Sequence, residues 1–351
     1  MLAASFVSAE PIPVRGVIEG FYGEPWSHAQ RLDLIDFCSE HQFNAYIYAP
    51  KDDPFHRSKW REPYPAEQLN QIAELIRAAE ERNVEFIFAV SPGLDLHYSE
   101  ADLEVMISKL DAIYAIGGRR FAIFFDDIDD HDGRAQALFI NRLEQQFVET
   151  RSGVKHLITV PTEYFRLDMI NADGSIKPYT RDFSQTLDPN VLVLYTGDGV
   201  VVPQLTDEQL RAADQIYNRE LGVWWNYPVN DYMPEKLALG AIRHLPSKLP
   251  AVFFNPMSEY ELSKIALATG AAYALAPEHY DPQSAWLKAI RDQFGELAED
   301  MIVFASQSQL LKNDWADTGH VEAQVDPERL AQAIDRLKAH GILREEYASR
   351  N

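Results

Sequence analysis

Eight short apolar runs of β-forming residues alternate with helical runs over the first three-quarters of the chain, and few architectures accept that order. The runs are residues 14–18, 44–48, 85–90, 120–125, 156–160, 191–195, 223–225 and 251–254. Between most of them lie amphipathic stretches, among them 65–82, 101–116, 135–150, 207–221, 234–243 and 258–274, with apolar residues at three- and four-residue spacing. Strand and helix in regular alternation build a parallel sheet. Eight such units predict an α/β fold of the closed (β/α)8 TIM-barrel type. A doubly wound open sheet is the alternative, but no Gly-x-Gly-x-x-Gly turn follows any of the runs. From Pro282 onward the strand pattern stops and helical patterns at 286–306 and 327–339 take over. The expected division is an N-terminal extension 1–13, a catalytic barrel 14–280 and a short α-helical appendage 281–351.

With 351 residues, 46% of them hydrophobic and 11% aromatic, the chain has ample material for a large core. Its net charge of −22 has the wrong sign for phosphate backbones or anionic lipid, so neither nucleic acid nor membrane is an expected partner. Cys38, the single cysteine, lies in a helical run and reads as a small buried hydrophobe. No apolar stretch approaches a membrane span, and Met1 to Ala9 lacks the basic and apolar regions of a signal peptide. A cytoplasmic location is the favoured expectation; secretion is the alternative if a leader has been removed.

In parallel α/β barrels the chemistry collects at the carboxyl ends of the strands. Polar groups do cluster there: Glu19-Gly-Phe-Tyr-Gly23, Ala49-Pro-Lys-Asp-Asp53, Ser91-Pro-Gly-Leu-Asp95, Asp126-Asp-Ile-Asp-Asp130, Pro161-Thr-Glu-Tyr164, Thr196-Gly-Asp-Gly199, Asn226-Tyr-Pro-Val-Asn-Asp231 and Asn255-Pro-Met-Ser-Glu259. Carboxylates, amides, tyrosines and indoles fit a neutral, polyhydroxylated ligand. Such groups pair with vicinal hydroxyls, and aromatic faces cover the C–H face of a pyranose. The run Phe121-Ala-Ile-Phe-Phe-Asp-Asp-Ile-Asp-Asp130 is the sharpest signal, because adjacent Asp126 and Asp127 form a candidate acid/base pair. Strict strand alternation would aim the two to opposite sides, so both can serve one cavity only if the strand ends or bulges there. Two blander readings of the run are a solvated turn capping the next helix, and a divalent-cation site built from Asp126, Asp127, Asp129, Asp130 and Asp132. His56, His97 and His131 lack metal-ligand spacing and read as exposed loop histidines.

The strings Arg15-Gly-Val-Ile-Glu-Gly-Phe-Tyr-Gly23, Tyr48-Ala-Pro-Lys-Asp-Asp53, Ser91-Pro-Gly-Leu-Asp95, Phe125-Asp-Asp-Ile-Asp129, Pro161-Thr-Glu-Tyr164, Asn230-Asp-Tyr232 and Asn255-Pro256 closely resemble the catalytic domain of the O-GlcNAcase family, glycoside hydrolase family 84, which includes bacterial relatives named hyaluronidases. The resemblance implies a TIM barrel followed by a helical region, and hydrolysis of terminal β-linked N-acetylglucosamine (GlcNAc) with retention, through attack by the substrate's own acetamido oxygen to give an oxazoline. It implies no metal and no cofactor. Implied partners are β-GlcNAc glycosides, O-GlcNAc-modified proteins among them, and a homodimer is left open because the helical region is shorter than the family's usual stalk. Residue by residue, it makes Asp126 the group that orients the acetamido, Asp127 the general acid/base and Tyr164 the hydrogen-bond donor to the acetamido oxygen. It places Lys51, Asn226, Asp231 and Asn255 on the sugar, Gly16 with its backbone near O3 or O6, and Trp224 as an aromatic wall. Each has a structural alternative: ion pairing with Asp52 or Asp53 for Lys51, Asx turns for Asn226 and Asn255, a helix cap for Asp231, strand packing for Gly16, and core burial for Trp224 or Tyr164. Other classes compatible with the residues are an endo-acting hyaluronidase-type enzyme, a metal-dependent hydrolase and an inactive GlcNAc-binding relative.

Overall fold

The computed structural model describes residues 10–309 and 325–344. Eight parallel strands close into a barrel in sequence order, β1 pairing with both β2 and β8. They are β1 Val14–Glu19, β2 Ala45–Tyr48, β3 Glu85–Val90, β4 Arg120–Phe124, β5 Ile158–Val160, β6 Leu192–Tyr195, β7 Gly222–Trp225 and β8 Ala251–Phe254. The helices are α1 His28–Glu40, α2 Ala66–Glu81, α3 Glu100–Ala115, α4 Gly133–Leu143, the single turn α5 Arg166–Met169, α6 Pro178–Thr186, α7 Asp207–Tyr217, α8 Tyr260–Leu275, α9 Pro282–Phe294, α10 Ala298–Ala305 and α11 Pro327–Ala339. Capping boxes open α1 at Ser27 and α7 at Thr206, where each hydroxyl accepts an otherwise unpaired amide.

Alternation along the strands sorts the core into two layers. Ile18, Ala45, Ile47, Ile87, Ala89, Ala122, Phe124, Ile158, Val160, Leu194, Trp224 and Phe253 fill the barrel, while Val17, Tyr46, Phe86, Phe88, Phe121, Ile123, Val193, Trp225 and Phe254 meet the surrounding helices. Each strand is therefore apolar on both faces, the origin of its near-continuous apolar sequence. Cys38 is fully buried, and burial pushes its thiol well above the ordinary range.

The stretch 234–243 is not a helix. It runs irregularly between β7 and β8, with Leu237, Ala238, Leu239, Ala241 and Ile242 all buried because barrel and helical region cover it from both sides. A side chain at Gly240 would lie 1.7 Å from the Gln309 carbonyl oxygen, so the backbone itself is the packing surface. The pattern at 286–306 is interrupted at Gly295, whose positive φ of 50° breaks it into α9 and α10. These helices and α11 share a core with Met233, Leu237, Met257, Leu262 and Ile265. No helix among the described residues is long and apolar enough to cross a membrane.

Candidate active site

β4 supplies the two aspartates, and its end decides where they point. Asp126 keeps the parity of Ala122 and Phe124 and enters the barrel mouth, 5% exposed. Asp127 should face outward with Phe121 and Ile123, but its φ of +55° puts it in the left-handed region, where a non-glycine residue is unfavourable by about 1–3 kcal/mol. That reversal turns its carboxylate back, so both acids line one cavity of about 320 Å³. The ladder runs one residue past the strand, Phe125 N–H donating to Val160 O at 2.8 Å, and breaks just before the acids.

Lys51, 4% exposed at the end of β2, pairs with Asp126 through Oδ2, not with Asp52 or Asp53. Asp52 accepts instead from Gly23 N and Asp53 from the Tyr48 and Tyr64 hydroxyls. The other Asp126 oxygen, Oδ1, is buried with no partner among the described residues, which leaves a strong acceptor beside the cavity. Asp127 is held differently: the Tyr164 hydroxyl donates to Oδ1 and the Tyr22 hydroxyl to Oδ2, each at 2.8 Å. Burial, and then the charge of Asp127, keep both phenols protonated far above their usual range.

The opposite wall comes from β7 and β8. Trp224 lines the cavity while Trp225 packs under the helices, the division expected of two adjacent strand residues. Asn226 Oδ1 accepts from Trp224 Nε1 at 2.7 Å and from Asn255 Nδ2 at 3.0 Å, and Asn255 Oδ1 accepts from Gly20 N at 3.2 Å. Asp231 accepts from Tyr22 N at 2.8 Å, and burial raises its carboxyl above the ordinary range. Val160, Thr196, Val200, Val201, Val229 and Tyr232 complete the lining.

Asp126, Asp127, Tyr164, Lys51, Trp224, Asn226, Asp231 and Asn255 thus converge on one cavity. Gly16 does not join them. It sits inside β1, where an added Cβ would lie 1.9 Å from Ala45 O, so it serves close strand packing. Gly20, four residues on, supplies the backbone at the cavity, its missing Cβ leaving room for the Trp224 ring. Glu19, grouped with the strand-end carboxylates, is fully buried away from the lining, where it holds Arg31 and the Tyr46 hydroxyl. Tyr22 escapes sequence reasoning as a site residue although it lies inside a strand-end string. Arg57, which donates to Tyr22 Oη and to the Asp127 carbonyl, gives no signal at all, being nine residues past β2. His56 is not an exposed loop residue but fully buried, Nδ1 donating to Ala89 O at 2.8 Å. His97 and His131 are exposed, and no group of three or more potential metal ligands occurs among the described residues.

The cavity's one lysine is already matched to a carboxylate, and what remains on its walls are amide, hydroxyl, carboxylate and indole groups, the complement of a sugar. At the carboxyl face of a (β/α)8 barrel this is the arrangement expected of the glycoside hydrolase class. Comparison with known proteins narrows the class. The profile of the family described as beta-N-acetylglucosaminidase matches residues 15–306. Protein O-GlcNAcase of Mus musculus and that of Rattus norvegicus are each 35% identical over 274 residues, 74% of this chain and 29% of theirs, so the chain spans under a third of the length of these curated relatives. Among solved structures, that of CpGH84B superposes with a TM-score of 0.84 at 41% identity, covering 95% of this chain and 59% of that one. A mutant of the Thermobaculum terrenum O-GlcNAc hydrolase superposes at 0.80 with 30% identity, covering 96% and 79%. The chain belongs to the beta-N-acetylglucosaminidase family, glycoside hydrolase family 84.

Proposed function

We propose that the chain is an exo-acting, retaining β-N-acetylglucosaminidase that removes terminal β-linked GlcNAc, including O-GlcNAc on Ser/Thr of proteins or peptides, with the substrate's acetamido oxygen as nucleophile. The observation that carries this reading is the left-handed turn at Asp127, which brings two consecutive carboxylates to one cavity in unlike surroundings. Asp126, tied to Lys51 through one oxygen, has Oδ1 free to accept the acetamido N–H and so to orient that group for attack. Asp127 stands at the mouth, where a leaving oxygen would take its proton and a water would later return one. Tyr164 is a protonated phenol, and its one proton, directed at Asp127 Oδ1, would turn to the acetamido oxygen as the oxazoline forms. Asp231 and Asn255 would bind ring hydroxyls, Asn226 would reach the anomeric region or the acetamido group, and Trp224 would face the ring.

Relatives named as O-GlcNAcase and O-GlcNAc hydrolase support the substrate class. A cavity of about 320 Å³, at the small end of the range for ligand sites, favours a single sugar over a polymer groove. The mechanism needs no metal.

Asp126→Ala and Asp127→Ala are each expected to lower kcat about a hundredfold or more on an alkyl β-GlcNAc glycoside. On a nitrophenyl glycoside, whose leaving group needs little protonation, Asp127→Ala loses much less and Asp126→Ala does not recover. Successive fluorination of the N-acyl methyl should slow the parent steeply, and the first product seen by NMR should be β-GlcNAc. Equal losses for Asp127→Ala on both glycosides would remove the acid assignment, and an α product would remove the double displacement.

A further inference from the structure

Arg57 is a buried cation with an unusual set of partners. Only 9% exposed, it forms no ion pair with a carboxylate among the described residues. Nη1 donates to the Tyr22 hydroxyl oxygen at 2.7 Å and Nη2 to the main-chain carbonyl of Asp127 at 2.9 Å. Burying a guanidinium against a phenol and a peptide, with no carboxylate to pair it, is costly, so its place there points to a geometry it fixes.

A guanidinium only donates, and a phenol has one proton. With Arg57 donating to Tyr22 Oη, the Tyr22 proton is directed at Asp127 Oδ2, the 2.8 Å bond observed. The second Arg57 bond holds the carbonyl of Asp127, whose strained backbone turns the carboxylate into the cavity. One side chain therefore fixes both the orientation of the carboxylate and the direction of a hydrogen bond to it.

The segment bearing Arg57 is itself anchored. His56 donates from Nδ1 to Ala89 O and accepts through its carbonyl from Ser91 N at 2.9 Å. Three residues past Arg57, fully buried Trp60 donates to Asp95 at 2.7 Å.

We propose that Arg57 is a positioning residue for the general acid/base: by clamping the Asp127 carbonyl and orienting the Tyr22 hydroxyl, it holds the Asp127 carboxylate where it can reach the leaving-group oxygen. This rests on the reading of Asp127 as that acid. The test compares Arg57→Gln, Arg57→Lys, Tyr22→Phe, the Arg57→Gln/Tyr22→Phe double variant and Asp127→Asn on alkyl and nitrophenyl β-GlcNAc glycosides. Arg57→Gln should lose roughly tenfold or more in kcat on the alkyl glycoside, a smaller part of what the acid itself contributes, and clearly less on the nitrophenyl one, with KM nearly unchanged. Arg57→Lys should recover part of that loss. The double variant should cost less than the product of the two single losses, since both act on one carboxylate. Equal losses of Arg57→Gln on both glycosides, accompanied by a lowered Tm, would reduce Arg57 to a structural role and overturn the proposal. If Asp127→Asn itself fails to discriminate between the glycosides, the acid assignment falls instead. A crystal structure of Arg57→Gln decides positioning without turnover: Tyr22 Oη still within about 3 Å of Asp127 Oδ2, on an unaltered left-handed backbone, overturns it.

Discussion

At the scale of single residues, the site depends as much on what is absent from Gly20 as on the acids. A Cβ there would lie 2.4 Å from Trp224 Cζ2 and 2.7 Å from its Cη2, closer than any ordinary contact. The indole cannot retreat freely, because Phe124 tilts against it with ring centroids 5.5 Å apart and its Nε1 is bonded to Asn226. Overpacking of this kind costs roughly 1–3 kcal/mol. If the cost falls on the cavity wall proposed to hold the sugar, Gly20→Ala should raise KM by about tenfold, the equivalent of 1.4 kcal/mol, with a smaller effect on kcat. Initial-rate kinetics beside calorimetry of GlcNAc binding would check it, and an unchanged KM would show that the ring is free to move. The two aspartates are readable as a pair from sequence because few structural needs place adjacent carboxylates after an apolar strand. Their convergence is not readable, since it depends on one dihedral at Asp127. Arg57 is invisible for a related reason: its partners are a phenol and a carbonyl from the segments that follow β1 and β4, and nothing local marks them.

At the scale of elements, the segment after β2 shows a buried histidine acting as a latch. His56 is fully enclosed, and burial, followed by the nearby Lys51 charge, pushes its imidazole down to about 3 from the usual 6.5. A histidine depressed on folding contributes stability that is present above its unfolded value and is lost as pH falls toward the folded one. The window is therefore between 6.5 and 3. Between pH 7 and pH 5 His56 alone should withdraw about 2 kcal/mol of stability, at 1.36 kcal/mol per pH unit below the unfolded value. Urea unfolding of the parent and of His56→Met at both pH values would measure it, and an equal drop in the two proteins would contradict the assignment. In the sequence His56 reads as an exposed loop residue because it lies near a strand end and lacks a partner at metal-ligand spacing. The fold instead folds that loop back over β3, a tertiary event that local composition does not encode. Residues 234–243 mislead in the opposite direction. Their apolar spacing suits a helix, yet they are apolar because two cores close over them, one under the barrel helices and one under α9, α10 and α11. The strands, by contrast, are legible almost to the residue, since burial on both faces writes a continuous apolar run that has little other explanation.

At the scale of the whole molecule, barrel and helical region share apolar surface rather than merely adjoining. Trp286, Ile290, Met301 and Phe304 pack with Leu237, Leu239, Met257 and Ile265 in one cluster, and the Trp286 indole donates to Leu239 O at 2.6 Å. Ending the chain at residue 280 would uncover that cluster. The expected outcome is a single unfolding transition in calorimetry for the intact chain, and an aggregation-prone or strongly destabilised barrel for the truncated one. Two resolved transitions would show that the regions stand alone. The barrel's closing seam has a further meaning for how the protein comes into being. The contact of Gly20 with Asn255 spans 235 positions, and it joins the first strand's end to the last strand's end at the wall of the cavity. Local strand–helix units can form early because their ends are near in sequence, whereas this contact waits until nearly the whole barrel has been synthesised and wrapped. On the ribosome, therefore, the wall of the cavity cannot be complete until the final strand has emerged.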